Sequence, residues 1–137
     1  MRVVLDTNVF VSGVFFSGPP HRILQAWRRG KLQLVVSPEI LAEYNRVGEE
    51  LAERFHGIDL RPILDFVAVN ADLVSPVDPA APICSDPDDD KFFLCAISAS
   101  CKWIVSGDKH LLAQSGYGSI EVVRPRDFIE MFLPHKR

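Results

Sequence analysis

The chain has 137 residues and a hydrophobic fraction of 47%, which suits one domain with a full core and excludes intrinsic disorder. Its longest apolar stretch, around residues 9–16, is too short and too interrupted to span a bilayer, and the N-terminus enters a strand-like run with no export signal. A formal net charge of −3 does not advertise a nucleic-acid binder, but it does not exclude one where acids are neutralised by metal and bases cluster locally.

In chain order, Val3–Asp6 reads as a buried first strand, and Val9–Phe16 as an apolar stretch of ambiguous type, a short helix under a loop being one option. Gly18-Pro19-Pro20 predicts a turn, and His21–Arg29 a helix with Ile23, Leu24 and Trp27 inward and Gly30 as its stop. Leu32–Val36 is a second strand. Ser37-Pro38 supplies an N-cap and a first-turn proline for a helix running to about Phe55, with Ile40, Tyr44, Val47 and Leu51 inward. Leu60–Val69 is a further helix, started near Asp59, and Ala71–Val74 a short third strand. Residues 75–87 form a proline-rich loop. Asp86-Pro87 opens a helix patterned from Asp88 to Cys101. Trp103–Val105 is a fourth strand, Asp108–Gln114 a short helix, Ile120–Val123 a fifth strand and Pro125–Phe132 a last helix. No internal repeat, low-complexity segment or linker is visible. Cys84, Cys95 and Cys101 are odd in number, lack CxxC spacing and lie in apolar contexts, so free thiols in a reducing, cytoplasmic compartment are expected.

Apolar strands alternating with helices predict an α/β fold with a parallel sheet covered on both faces. In such sheets ligands bind outside the carboxyl ends of the strands. Asp6 ends strand one, and Asp108 follows Ser106-Gly107 at the end of strand four. Glu43 lies in the second turn of the helix that leaves strand two, and Asp90 in the second turn of the helix before strand four. Right-handed crossovers bring both helix starts to the same rim. Asp90 falls in the middle of a stripe formed by Phe93, Leu94, Ile97 and Cys101, whereas Asp88 and Asp89 rotate away from it. A lone buried carboxylate costs several kcal/mol unless it is paired, protonated or bound to a cation.

Each acid has a plainer role to set beside this. Asp6 serves as a turn residue bonding the backbone near Asn8. Glu43, roughly 60–80° off the centre of its apolar stripe, serves as a solvated helix residue. Asp88 and Asp89 complement the helix dipole, and Asp86 with Asp89 resembles a capping box. Asp108 serves as an N-cap. Asn8 and Ser106 are ordinary turn residues that can also hydrogen-bond a bound water or a phosphate. His21, His56, His110 and His135 show no ligand spacing, and there is no HExxH, GxSxG, P-loop or GxGxxG. Arg22, Arg28, Arg29 and Lys31, and Arg124, Arg126, Lys136 and Arg137, form loose basic clusters that read as solvated surface. Phe92 faces away from its helix's apolar stripe, as a partner contact or packed against a loop. An all-oxygen, acid-rich site selects Mg²⁺ or Mn²⁺ over Zn²⁺, and such sites commonly handle phosphate.

Four segments carry a resemblance: Val3-Val4-Leu5-Asp6-Thr7-Asn8, then Ser37-Pro38-Glu39-Ile40-Leu41-Ala42-Glu43, then Asp86-Pro87-Asp88-Asp89-Asp90-Lys91-Phe92-Phe93-Leu94, then Ile104-Val105-Ser106-Gly107-Asp108. In this order and spacing they resemble the PIN-domain ribonucleases, from Val3 to about Leu112. The nearest branch looks like the VapC-like toxin components of bacterial and archaeal toxin–antitoxin pairs. The resemblance implies a single PIN-like domain over 1–137, a three-layer α/β/α sandwich with a short parallel sheet of four to five strands. It also implies a Mg²⁺- or Mn²⁺-dependent endoribonuclease, often dimeric and held inactive by a small protein antitoxin. Asp6, Glu43, Asp90 and Asp108 match the family's acidic positions, Ser106 its small hydroxyl position, and Asn8 stands where relatives carry Asn or Asp. Three consecutive aspartates leave the alignment open to a slip, and the helical-face argument chooses Asp90 independently. Two other readings compete. One is a haloacid-dehalogenase-like phosphatase with Asp6 as nucleophile, although Asn8 stands where that chemistry wants a second aspartate and Lys109 is a poor match for its lysine. The other is a PIN module that binds RNA or protein without catalysis.

Overall fold

The computed structural model describes residues 1–76 and 81–133. Five strands, β1 (Arg2–Leu5), β2 (Gln33–Val36), β3 (Asp72–Leu73), β4 (Trp103–Val105) and β5 (Glu121–Val123), form one sheet in the order β3-β2-β1-β4-β5. Every strand pair is parallel. Val3, Val4 and Leu5 are consecutive and all essentially inaccessible. Neighbours along a strand point to opposite faces, so both faces are covered, as in a three-layer α/β/α sandwich.

The helices are α1 (Thr7–Phe15), α2 (Pro19–Arg28), α3 (Pro38–Ala52), α4 (Arg61–Asn70), α5 (Asp90–Ser98), α6 (Lys109–Ala113) and α7 (Pro125–Phe132). The ambiguous stretch after β1 is thus helical. The turn expected at residues 18–20 is instead the entry to α2. Both prolines sit in its first turn, where the missing N–H costs nothing, and Gly18 takes φ 119° ahead of them. Trp103–Val105 and Pro125–Phe132 match the expected bounds, and the other described elements shift by one to three residues at their ends. The middle of the 75–87 loop, the tail cluster Lys136-Arg137 and His135 lie outside the described residues.

The segment around Asp90 differs from expectation. Pro87–Asp89 form a 3₁₀ turn, and α5 begins only at Asp90 and ends at Ser98. Asp90 is therefore in the first turn of its α-helix, not the second. A 3₁₀ turn advances about 120° per residue rather than 100°, so an α-helical wheel begun at Asp88 is out of phase. Phe92 is 3% exposed and belongs to the core, whereas Ile97, expected in the inward stripe, is 40% exposed. Cys101 is buried beyond the helix, past Ser100 at φ 52°, and Leu94 is half-buried. The inward set of α5 is Asp90, Phe92, Phe93, Cys95 and Ala96. Cys84, Cys95 and Cys101 are all free and buried.

Tyr44 ties α3 to the first strand. It is fully buried, stacks on Phe10 at 4.1 Å between ring centroids, and its hydroxyl donates to the Leu5 carbonyl at 2.5 Å. Tyr44→Phe keeps the stack and removes one buried hydrogen bond. The expected loss is about 1 kcal/mol, seen as a lower denaturant midpoint with an unchanged slope.

Candidate active site

The sheet order reverses between β1 and β4. The chain runs outward from β1 to β2 and β3, then returns to β4 and β5 on the other side. The crevice beyond the carboxyl ends of β1 and β4 is the topological switch point, the usual ligand position in such sheets. Asp6 and Ser106 directly follow those two strands.

Asp6 is 4% exposed. Its Oδ1 accepts from the Val9 N–H at 2.8 Å, capping α1, and its Oδ2 accepts from the Ser106 hydroxyl. The Ser106 Oγ in turn accepts from the Asp108 N–H at 2.9 Å. Ser106 thus links Asp6 to Asp108, whose Oδ1 caps α6 through His110 N–H at 2.7 Å. Burial pushes the Asp6 carboxyl up to about 6; the Ser106 and Val9 bonds oppose the rise, and the negative charges of Asp108 and Asp89 add to it.

Asp90 is also buried. Its carboxylate accepts from the backbone N–H groups of Cys84 at 2.7 Å and Ile83 at 3.3 Å. It therefore anchors the preceding loop to the start of α5. Asp88 is exposed, and Asp89 is half-buried. Burial, then the charges of Asp108 and Asp86, raises the Asp89 carboxyl above its usual range, with Lys91 and His110 opposing. Asp89 therefore does not turn away from the acids as a regular helix would carry it. The Cys84 thiol, pushed up to about 12 chiefly by burial, senses Asp90, Asp89 and Asp108 together.

Glu43 is half-buried on α3. Its Oε1 accepts from the Thr7 hydroxyl, and its Oε2 lies 2.8 Å from the Lys91 ammonium and 3.9 Å from Arg46. The Tyr44 hydroxyl senses both Asp6 and Glu43. Ser106 thus links Asp6 to Asp108, Thr7 links the end of β1 to Glu43, and Lys91, next to Asp90, reaches Glu43. The acids whose charges bear on Asp6 are Asp108 and Asp89. Asn8, although adjacent, is exposed.

The donors present are carboxylate oxygens crowded around a buried acid, which fit a hard divalent cation in type and charge. They are not a ready-made cage. Among the described residues no group of three His, Cys, Asp or Glu side chains is arranged to hold a metal ion. Asp6, Asp90 and Glu43 each meet a protein donor at both oxygens. Two residues without an assigned role also enter the site. Thr7 had a signal in its place between Asp6 and Asn8, at the strand end. Lys91 had none, because a lysine in a first helical turn next to three aspartates reads as surface charge.

No curated protein matches the chain. The PIN-domain family model matches residues 2–110, spanning β1 to the start of α6 and all four acids. PIN domains are a nuclease fold and generally depend on divalent metal ions. With a family model matching residues 2–110 and a five-stranded parallel sheet that agrees with it, the chain belongs to the PIN-domain family.

Proposed function

We propose that this protein is a metal-dependent endoribonuclease that hydrolyses RNA phosphodiester bonds, as the toxin of a type II toxin–antitoxin pair. The observation that carries the reading is Asp6: a carboxylate at the switch point of a nuclease fold whose proton affinity is raised chiefly by burial, with the charges of Asp108 and Asp89 adding to the rise. A site that holds so much negative charge is poised for a cation.

Asp6 and Asp90 are the residues that would hold Mg²⁺ or Mn²⁺, with Asp108 beside them. When bound, the cation neutralises the scissile phosphate, activates water and stabilises the leaving oxygen. Ser106 holds the Asp6 and Asp108 segments in register, and the 83–84 backbone amides fix the Asp90 carboxylate. Glu43 orients the attacking water and receives its proton. The phosphatase reading has no support from the family match, which covers the segment holding Asp6.

The proposed partners are RNA, a small antitoxin and a second copy of the chain. An open, mostly apolar groove of about 410 Å³ between α3 and α4, lined by Pro38, Leu41, Ala42, Asn45, Leu64, Ala68 and Leu73, supports a protein partner. We place the protein in the cytoplasm as a single domain. Its free, buried cysteines suit a reducing compartment, and among the described residues no helix is long and apolar enough to cross a membrane.

The test is end analysis of RNA incubated with the purified protein and Mn²⁺. Hydrolysis by water leaves 5′-phosphate and 3′-hydroxyl ends, and EDTA abolishes it. Cyclic-phosphate ends would reject the mechanism. RNA binding without turnover would reduce the protein to a binding module, and beryllofluoride trapping at Asp6 would revive the phosphatase.

A further inference from the structure

Lys91 occupies an unusual position for a lysine. It is the second residue of α5, next to Asp90, and its side chain is 12% exposed. Its ammonium contacts Glu43 Oε2 at 2.8 Å, donates to the Asp88 carbonyl at 2.5 Å, and lies 5.4 Å from the centroid of the Phe92 ring. It also opposes the rise of the Asp89 carboxyl. Arg46, the other cation near Glu43, is 3.9 Å away with a 63% exposed side chain, so solvent screens it far more strongly. Thr7 holds the other oxygen of Glu43 but carries no charge.

We propose that Lys91 is a positioning residue that pins Glu43 beside Asp6 and stands as a built-in counter-charge to the acidic rim, competing with a divalent cation for Glu43. This rests on the metal-dependent nuclease reading and goes beyond it in two respects. It makes Glu43 a residue kept off the metal by Lys91 and so available to water, and it makes metal affinity a quantity that Lys91 restrains. A lysine placed only for packing or surface pairing has neither consequence.

The two effects pull in opposite directions when the charge is removed. Lys91→Met keeps most of the apolar stem and deletes the ammonium. Glu43 is then free to turn toward the cation, and the rim is one positive charge poorer. Mn²⁺ affinity, measured by calorimetry on the whole protein without RNA, should rise about three- to tenfold. RNA cleavage at saturating Mn²⁺ should fall about tenfold or more in kcat with KM little changed, because Glu43 no longer faces the water. Lys91→Arg should keep the wild-type Mn²⁺ affinity and recover part of the rate. In a Glu43→Gln background the affinity gained on deleting Lys91 should shrink, since the competing ligand is gone. Lys91→Gln gives the same readings where the methionine variant does not fold.

A folded Lys91→Met or Lys91→Gln protein with unchanged or weaker Mn²⁺ affinity would overturn the proposal while leaving the nuclease reading intact. Failure of the wild type itself to bind Mn²⁺ would overturn both. Tighter metal binding with slower turnover is the supporting result, and loss of both together would mark Lys91 as merely structural.

Discussion

Asp6→Asn and Asp90→Asn should each lower metal-dependent RNA cleavage at least about a hundredfold, since even residues behind a metal ligand typically cost ten- to a hundredfold. Both substitutions keep side-chain shape and delete one negative charge, so the loss falls on cation binding rather than on packing. Their effects on folding should differ. Asparagine is as good an N-cap as aspartate, so Asp6→Asn retains the bond to Val9 N–H that starts α1. Asp90 instead receives two backbone N–H groups, from Ile83 and Cys84, one at each oxygen. An asparagine offers one carbonyl oxygen there and turns an N–H₂ toward the other donor. Asp90→Asn should therefore destabilise the metal-free protein by about 1–3 kcal/mol, whereas Asp6→Asn should not. Cleavage assayed beside chemical denaturation separates the two. Unchanged cleavage in both folded variants would reject these acids as the site, and equal stability of both would reject the structural role given to Asp90.

Local rules carried the sequence reading furthest where a cap and a proline stand together. Ser37-Pro38 opens α3 and Pro125 opens α7 at the expected residues, because an N-cap hydroxyl or a fixed φ acts within one turn. The same logic placed a helix start near Asp86-Pro87 but not the 3₁₀ turn that follows, since 3₁₀ and α differ by one hydrogen-bond register and share their composition. That phase error exchanged Phe92 for Ile97 in the core and made Asp89 seem remote from the other acids. Asp90 was still readable as the inward aspartate, and it is the buried one of the three. That Asp6 and Asp108 lie together was legible, because they follow the carboxyl ends of two adjacent parallel strands. What the acids bond to was not. The bond from Ser106 to Asp6 and the grip of Thr7 and Lys91 on Glu43 join residues 36 to 100 positions apart, and no periodicity encodes them.

Adding saturating Mn²⁺ at pH 7.5 should raise the melting temperature, and the increment should shrink at pH 5. Burial holds the folded Asp6 carboxyl near 6 against an ordinary value of 3.8. A group raised on folding binds more protons in the native state, so it favours the fold fully below about pH 4 and loses that contribution as pH rises through about 6. A shift of about two units corresponds to roughly 3 kcal/mol at most by linkage. Asp89, raised in the same direction, adds to the loss. Metal-free protein should therefore weaken between pH 4 and 6.5. Asp6→Asn, which has no charge to bury, should show a flatter profile and exceed the metal-free wild type in stability at pH 7.5. A cation offsets the cost of that buried charge and stabilises by mass action, but below pH 6 it must displace a proton from Asp6. The variant should accordingly gain little from Mn²⁺ at either pH. Melting curves of both proteins, with and without Mn²⁺ at the two pH values, give eight numbers that fix the sign. If the metal-free wild type follows the pH profile of Asp6→Asn, burial of an ionised Asp6 is not what destabilises the fold, and the case for a cation at that carboxylate loses its physical basis.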